Sequence, residues 1–161
     1  MKLLITGVPG TGKSTIGEHL AKNNDFFHLD MEKNGFAPVR ELKKKETKFL
    51  KKLEPHKNVV ITWGFGFFSR PLVENLRKNG FVLFWLDGDR VASFKTFMQR
   101  DKHDTRSEYE YYSQLMGIIA SDIVERLKPI VINPFTKSSE LRPTAQVAEK
   151  IINHTKGDKR P

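Results

Sequence analysis

Apolar positions along this chain follow two rhythms. Short, nearly unbroken apolar runs recur at Lys2–Thr6, Phe26–Asp30, Val59–Trp63, Phe81–Leu86 and Ile130–Asn133, each bounded by Gly, Asn, Asp or Pro. Runs of that length between turn residues predict buried strands. In the intervening segments apolar residues return every three or four positions, the helical period. Ile16 and Leu20 sit on one side of a helix from Lys13 to about Asn23. Leu42, Phe49, Leu50 and Leu53 share a side of a second helix, which Pro55 stops. Ser69 and Pro71 start a third, ended by Asn79-Gly80, and Val91, Phe94, Phe97 and Met98 mark a fourth behind Gly88-Asp89. Ser107 and Glu110 form a capping box for a long helix reaching about Leu127. Val147, Ala148, Ile151 and Ile152 define a terminal helix, after which residues 155–161 are expected to fray.

Apolar strands alternating with helices predict an α/β fold, a five-stranded parallel sheet with helices on both faces. With 161 residues, one domain over 1–154 can bury a core without covalent staples. There is no cysteine, which excludes disulfides, thiolate nucleophiles and cysteine-held metal. A first strand starting at Lys2 leaves no targeting segment, and no apolar run has bilayer-spanning length. A cytoplasmic protein without a membrane partner is therefore expected.

The net charge of +9 fits either nucleic acid or phosphorylated small molecules. Part of it is local: Arg40, Lys43, Lys44, Lys45, Lys48, Lys51 and Lys52 face only Glu41, Glu46 and Glu54 on the second helix.

Directly after the first strand stands Gly7-Val8-Pro9-Gly10-Thr11-Gly12-Lys13-Ser14, which matches G-x-x-x-x-G-K-[ST] between a strand and a helix. Its chemistry is phosphate binding. Gly7, Gly10 and Gly12 let the backbone aim amides at one point, and the helix start adds its dipole. Lys13 can reach the outer phosphates, the Ser14 hydroxyl can ligate Mg²⁺, and Thr11 and Thr15 complete the cradle. The five histidines lack metal-ligand spacing, so Mg²⁺ arriving with ATP is the only metal expected.

The short loop G-x-P-G-T-G-K-S-T in the first fifteen residues of so small a chain resembles the small phosphate-loop (P-loop) kinases, the group of shikimate, gluconate and nucleoside monophosphate kinases. The resemblance implies a P-loop NTPase fold and transfer of the γ-phosphate of ATP to a hydroxyl or phosphate of a small-molecule acceptor. It maps Asp30-Met31-Glu32 onto the group's D-x-[DE] position, where a carboxylate orients Mg²⁺ or accepts the acceptor's proton; Asp30 is given both roles, with Glu32 open as the base. Thr62-Trp63-Gly64-Phe65-Gly66 has no acid at the strand tip and is similar to the Gly-rich strand end of shikimate kinases, placing Gly64, Gly66 and Arg70 at the acceptor. Residues 100–107 match a short lid whose Arg100 and Arg106 neutralise charge in transfer, with Lys102 and His103 as lesser candidates. Asn133-Pro134-Phe135-Thr136 stands where relatives wrap adenine. Two other functions stay open: a 5′-hydroxyl polynucleotide kinase using the basic helix, and a nucleotide-binding module without transfer chemistry.

Overall fold

A computed structural model describes residues 1–33, 49–64, 70–99, 108–120 and 122–157. The five predicted strands form as β1 (Lys2–Gly7), β2 (Phe27–Asp30), β3 (Val59–Thr62), β4 (Val82–Leu86) and β5 (Ile130–Ile132). All neighbours pair parallel, in the order β2-β3-β1-β4-β5. Each ends within a residue or two of the boundary read from the apolar runs.

Register decides which helix each side chain meets. Leu4, Leu29, Ile61 and Leu83 point to one face, while Leu3, Ile5, Val60 and Phe84 point to the other. The second face is covered by α1 (Lys13–Asn23) and the last helix, α6 (Thr144–Gly157), through Ile16, Leu20, Val147, Ala148 and Ile151. The first face receives residues 49–53, α2 (Arg70–Lys78), α3 (Arg90–Met98), α4 (Glu108–Ala120) and α5 (Ile123–Leu127). The predicted doubly covered sheet is therefore present. Its central strand, β1, carries the phosphate-loop motif at its carboxyl end, where open parallel sheets bind ligands.

Three expectations need adjustment. The helix expected to reach Leu127 is broken: Asp122 adopts φ 50°, a left-handed conformation that aspartate tolerates better than most side chains. Lys128, at φ 43°, turns the chain again into β5. The break lets Leu127 enter the core at 6 % exposure, and the Arg77 guanidinium donates to its carbonyl at 2.7 Å. Second, Val91 and Met98 of α3 are exposed rather than packed with Phe97. Third, α6 continues through Gly157, with the Thr155 hydroxyl bonded to Ile152 O. Of the basic helix, residues 49–53 are helical and 40–48 lie outside the described residues.

Candidate active site

The loop after β1 takes its shape from two close backbone approaches. A Cβ on Gly7, at φ 132°, would lie 2.1 Å from the Leu86 carbonyl oxygen of β4, and Val8 N–H donates to that oxygen at 3.0 Å. A Cβ on Gly10, at φ 78°, would lie 2.0 Å from the Ser93 carbonyl oxygen of α3. Only glycine allows the loop to rest on both elements. The Thr11 hydroxyl closes it with a 2.7 Å bond to Val8 O.

Gly12 caps α1 in the left-handed conformation, with no side-chain acceptor and no acid in the first turn. No acid of α1's own first turn therefore competes for the positive end of its dipole, which faces the loop. Lys13 folds back so that its Nζ donates to Gly7 O at 3.2 Å and Val8 O at 3.1 Å. Those carbonyls hold the ammonium folded back against the loop.

The two carboxylates after β2 are held differently. Asp30 is 5 % exposed; burial works against its charge, but hydrogen bonds from the Ser14 hydroxyl and the Lys33 and Glu32 amides outweigh it and hold its pKa below the usual value. Those amide bonds, to Oδ1, measure 3.1 and 3.0 Å. Asp30 is thus an anchored, ionised carboxylate against Ser14. Glu32 is exposed and reaches across to β3's end, where Oε1 accepts from Gly64 N–H at 3.0 Å. A Cβ on Gly64 would lie 2.6 Å from that oxygen and 3.9 Å from Lys13 Cε, so Glu32, Gly64 and Lys13 converge on one spot.

Behind this pair, the His28 ring packs on Gly17 of α1 and its Nε2 is 2.8 Å from the Thr62 hydroxyl. Burial pushes His28 below its ordinary 6.5, with a small contribution from Lys33, against the upward pull of Asp30 and Glu18. The unfolded chain takes up a proton near pH 6.5 that the folded chain refuses. Its contribution to stability is therefore complete above that pH and lost as the pH falls below it. Urea midpoints at pH 7.5 and 5.5 are expected to differ more for the wild type than for His28→Gln; an equal difference in both would exclude this origin.

Thr11, Gly12 and Thr15 also form one wall of a small open cleft of about 70 Å³ whose other wall is Pro134, Leu141 and Arg142. The loop after β5 is fixed mainly by backbone contacts: Asn133 Oδ1 accepts from Phe135 N–H at 2.8 Å, Pro134 O from Arg142 N–H at 2.8 Å, and Phe135 bridges Leu141. The sequence pointed to 133–136 here and missed Leu141 and Arg142. Pro143, just before α6, was the available signal for where that loop returns.

Arg70 opens α2, and its Nε is held by Glu74 one turn later at 2.8 Å. No contact joins it to Lys13, Asp30 or Glu32 in the described geometry. Gly66, Arg100 and Arg106 lie outside the described residues, as do Lys102 and His103.

No family model matches the chain. A shikimate kinase of Staphylococcus haemolyticus is 30 % identical over 165 aligned residues, covering 94 % of this chain and 92 % of that protein. Among solved structures, shikimate kinase from Acinetobacter baumannii in complex with shikimate superposes with a TM-score of 0.64 at 21 % identity, over 99 % of this chain and 95 % of that one. A gluconokinase from Sinorhizobium meliloti superposes with a TM-score of 0.62 at 14 % identity, over 99 % and 97 %. Both share its fold.

Proposed function

We propose, for a chain that belongs to the shikimate kinase family and is an ATP-dependent small-molecule kinase, a division of labour between its two carboxylates. The acceptor is a small polyhydroxylated acid, with shikimate the first to assay because the relatives carry that name. The work takes place in the cytoplasm, where ATP and Mg²⁺ are supplied.

Lys13 and the loop amides hold the β- and γ-phosphates, while the base sits in the cleft between Thr15 and Arg142. Ser14 and Asp30 suit a hard cation: both offer oxygen, and the carboxylate is ionised and immobile. Mg²⁺ held there would neutralise negative charge on the phosphates of ATP. Glu32, rather than Asp30, is the proposed base. It is exposed and converges with Lys13, whereas Asp30 is buried and its Oδ1 is held by two amides. The acceptor oxygen forms a bond to Pγ, the Pγ–O bond to ADP breaks, and the acceptor's proton passes to Glu32. Arg100 and Arg106 remain the proposed lid arginines, and Gly66 and Arg70 the acceptor-side residues.

The observation that carries this reading is the Glu32–Gly64–Lys13 convergence. A coupled ADP-release assay with shikimate, gluconate and nucleosides tests it. Glu32→Gln is expected to lower kcat about a hundredfold with little change in KM for ATP. Asp30→Asn is expected instead to raise the Mg²⁺ concentration needed for half-maximal rate. Equal effects of both substitutions on Mg²⁺ dependence would remove the division of roles.

A further inference from the structure

A helix covering a core needs one apolar face, and α4 has two. Tyr111 and Ile118 point inward at 2 % and 6 % exposure. On another side, Tyr109, Tyr112, Met116 and Ile119 are 82, 53, 60 and 56 % exposed. Their spacing of three, four and three residues is that of a helix–helix seam. Tyr112 is steadied by stacking on Phe94, with ring centroids 5.9 Å apart, so this face is set by the core beneath it. Four large apolar side chains in one exposed row exceed the scattered surface hydrophobics of an ordinary monomer.

We propose that this face of α4 is where two copies of the chain associate, antiparallel about a two-fold axis. Charge selects that occupant. The chain carries +9, so two copies bear like net charge and repel overall. Helix α4, however, contains no Lys or Arg and bears Glu108 and Glu110 in its first turn. It is thus a face on which two such chains can meet without like-charge cost. Antiparallel pairing also sets each copy's acidic first turn beside the other's helix carboxyl end, where α5 carries Lys128 and an Arg126 that faces its own Asp122 at 3.5 Å beside Glu125. Membrane-surface helices carry Lys and Arg on their polar side, which α4 lacks, and an acidic helix repels nucleic acid.

Area sets the strength. Two tyrosines at roughly 150–250 Å² each, with Met116 and Ile119, offer on the order of 500 Å² per copy at their partial exposure. A pair then buries about 1,000 Å², the low end for specific interfaces, which means a concentration-dependent dimer rather than an obligate one.

Sedimentation velocity on the full chain from about 1 to 200 μM tests this without reference to catalysis. The wild type is expected to move from 18.6 kDa toward twice that mass across the series. Met116→Lys with Ile119→Lys, both at exposed positions, is expected to stay at the monomer mass with an unchanged circular dichroism spectrum. Glu108→Lys should weaken association at low salt. A wild type monomeric throughout, a dimer that survives the double lysine substitution, or α4-dependent binding to phosphatidylcholine–phosphatidylglycerol vesicles in place of self-association would overturn the proposal.

Discussion

Lys13→Ala is expected to reduce turnover by roughly a thousandfold, the upper range for removing one charge-stabilising donor from an active site. In the structure the ammonium is satisfied by Gly7 O and Val8 O, both loop carbonyls. Those bonds hold it close to the phosphate position without fixing it there, so a bound triphosphate can draw it off at little reorganisation cost. Alanine leaves Gly7 O to water, Val8 O keeping its Thr11 hydroxyl, and the phosphates without their mobile cation. The thermal midpoint should move little, because the lost bonds are partly exposed and the loop's shape depends on its glycines. Arginine should not restore activity, since its planar fork cannot replace a compact ammonium in a closed cradle. Calorimetric titration with a non-hydrolysable ATP analogue should show binding at least tenfold weaker for Lys13→Ala. Unchanged binding and turnover together would mean that the loop does not hold the phosphates.

Gly10→Ala, like Gly7→Ala against β4, is expected to be a severely damaging single-methyl change in the loop. Its Cβ would lie 2.0 Å from Ser93 O and 3.0 Å from Phe97 N, both backbone atoms of α3, and the φ of 78° is itself unfavourable to alanine. Neither atom can move without displacing a helix whose Ser93 hydroxyl is tied to the buried Tyr111 hydroxyl at 2.7 Å. A cost of about 3 kcal/mol or more follows, which for a chain of this length lowers the thermal midpoint by roughly 6–12 °C. Gly12→Ala is the control. Its φ is 79°, yet nothing lies within 4 Å of the added carbon. Only the backbone term of about 1–2 kcal/mol should appear. Differential scanning calorimetry on the two variants separates contact from conformation; equal losses would show that packing on α3 contributes nothing.

The parts of this molecule written in local sequence were legible. Phosphate-loop glycines, the α1 start at Lys13 and the five strands depend on neighbours a few residues away, and each sits where the pattern put it. The break at Asp122 was not legible, because the capping box and apolar spacing are satisfied on either side of it; what favours two pieces is Leu127 reaching the core and Arg77 meeting its carbonyl, fifty residues apart in the chain. The same holds at the site. Asp30, Glu32 and Gly64 could each be named from the sequence, but the separation of the two carboxylates could not. It depends on the β2–β3 register, which sets Asp30 beside Thr62 and lets Glu32 reach Gly64. Leu141 and Arg142 escaped notice for a similar reason: they come to the cleft through backbone pairing with Pro134 and Phe135, which leaves no side-chain signature.

Phosphorus NMR of wild-type protein with ATP, Mg²⁺ and shikimate, or gluconate in its place, measures the proposed transfer itself. A new phosphate-monoester resonance should grow as the γ-phosphate signal declines, with ADP formed in equal amount, and Glu32→Gln should slow that growth about a hundredfold. Loss of the γ-phosphate only to inorganic phosphate, at the same rate with and without either acid, would contradict the account.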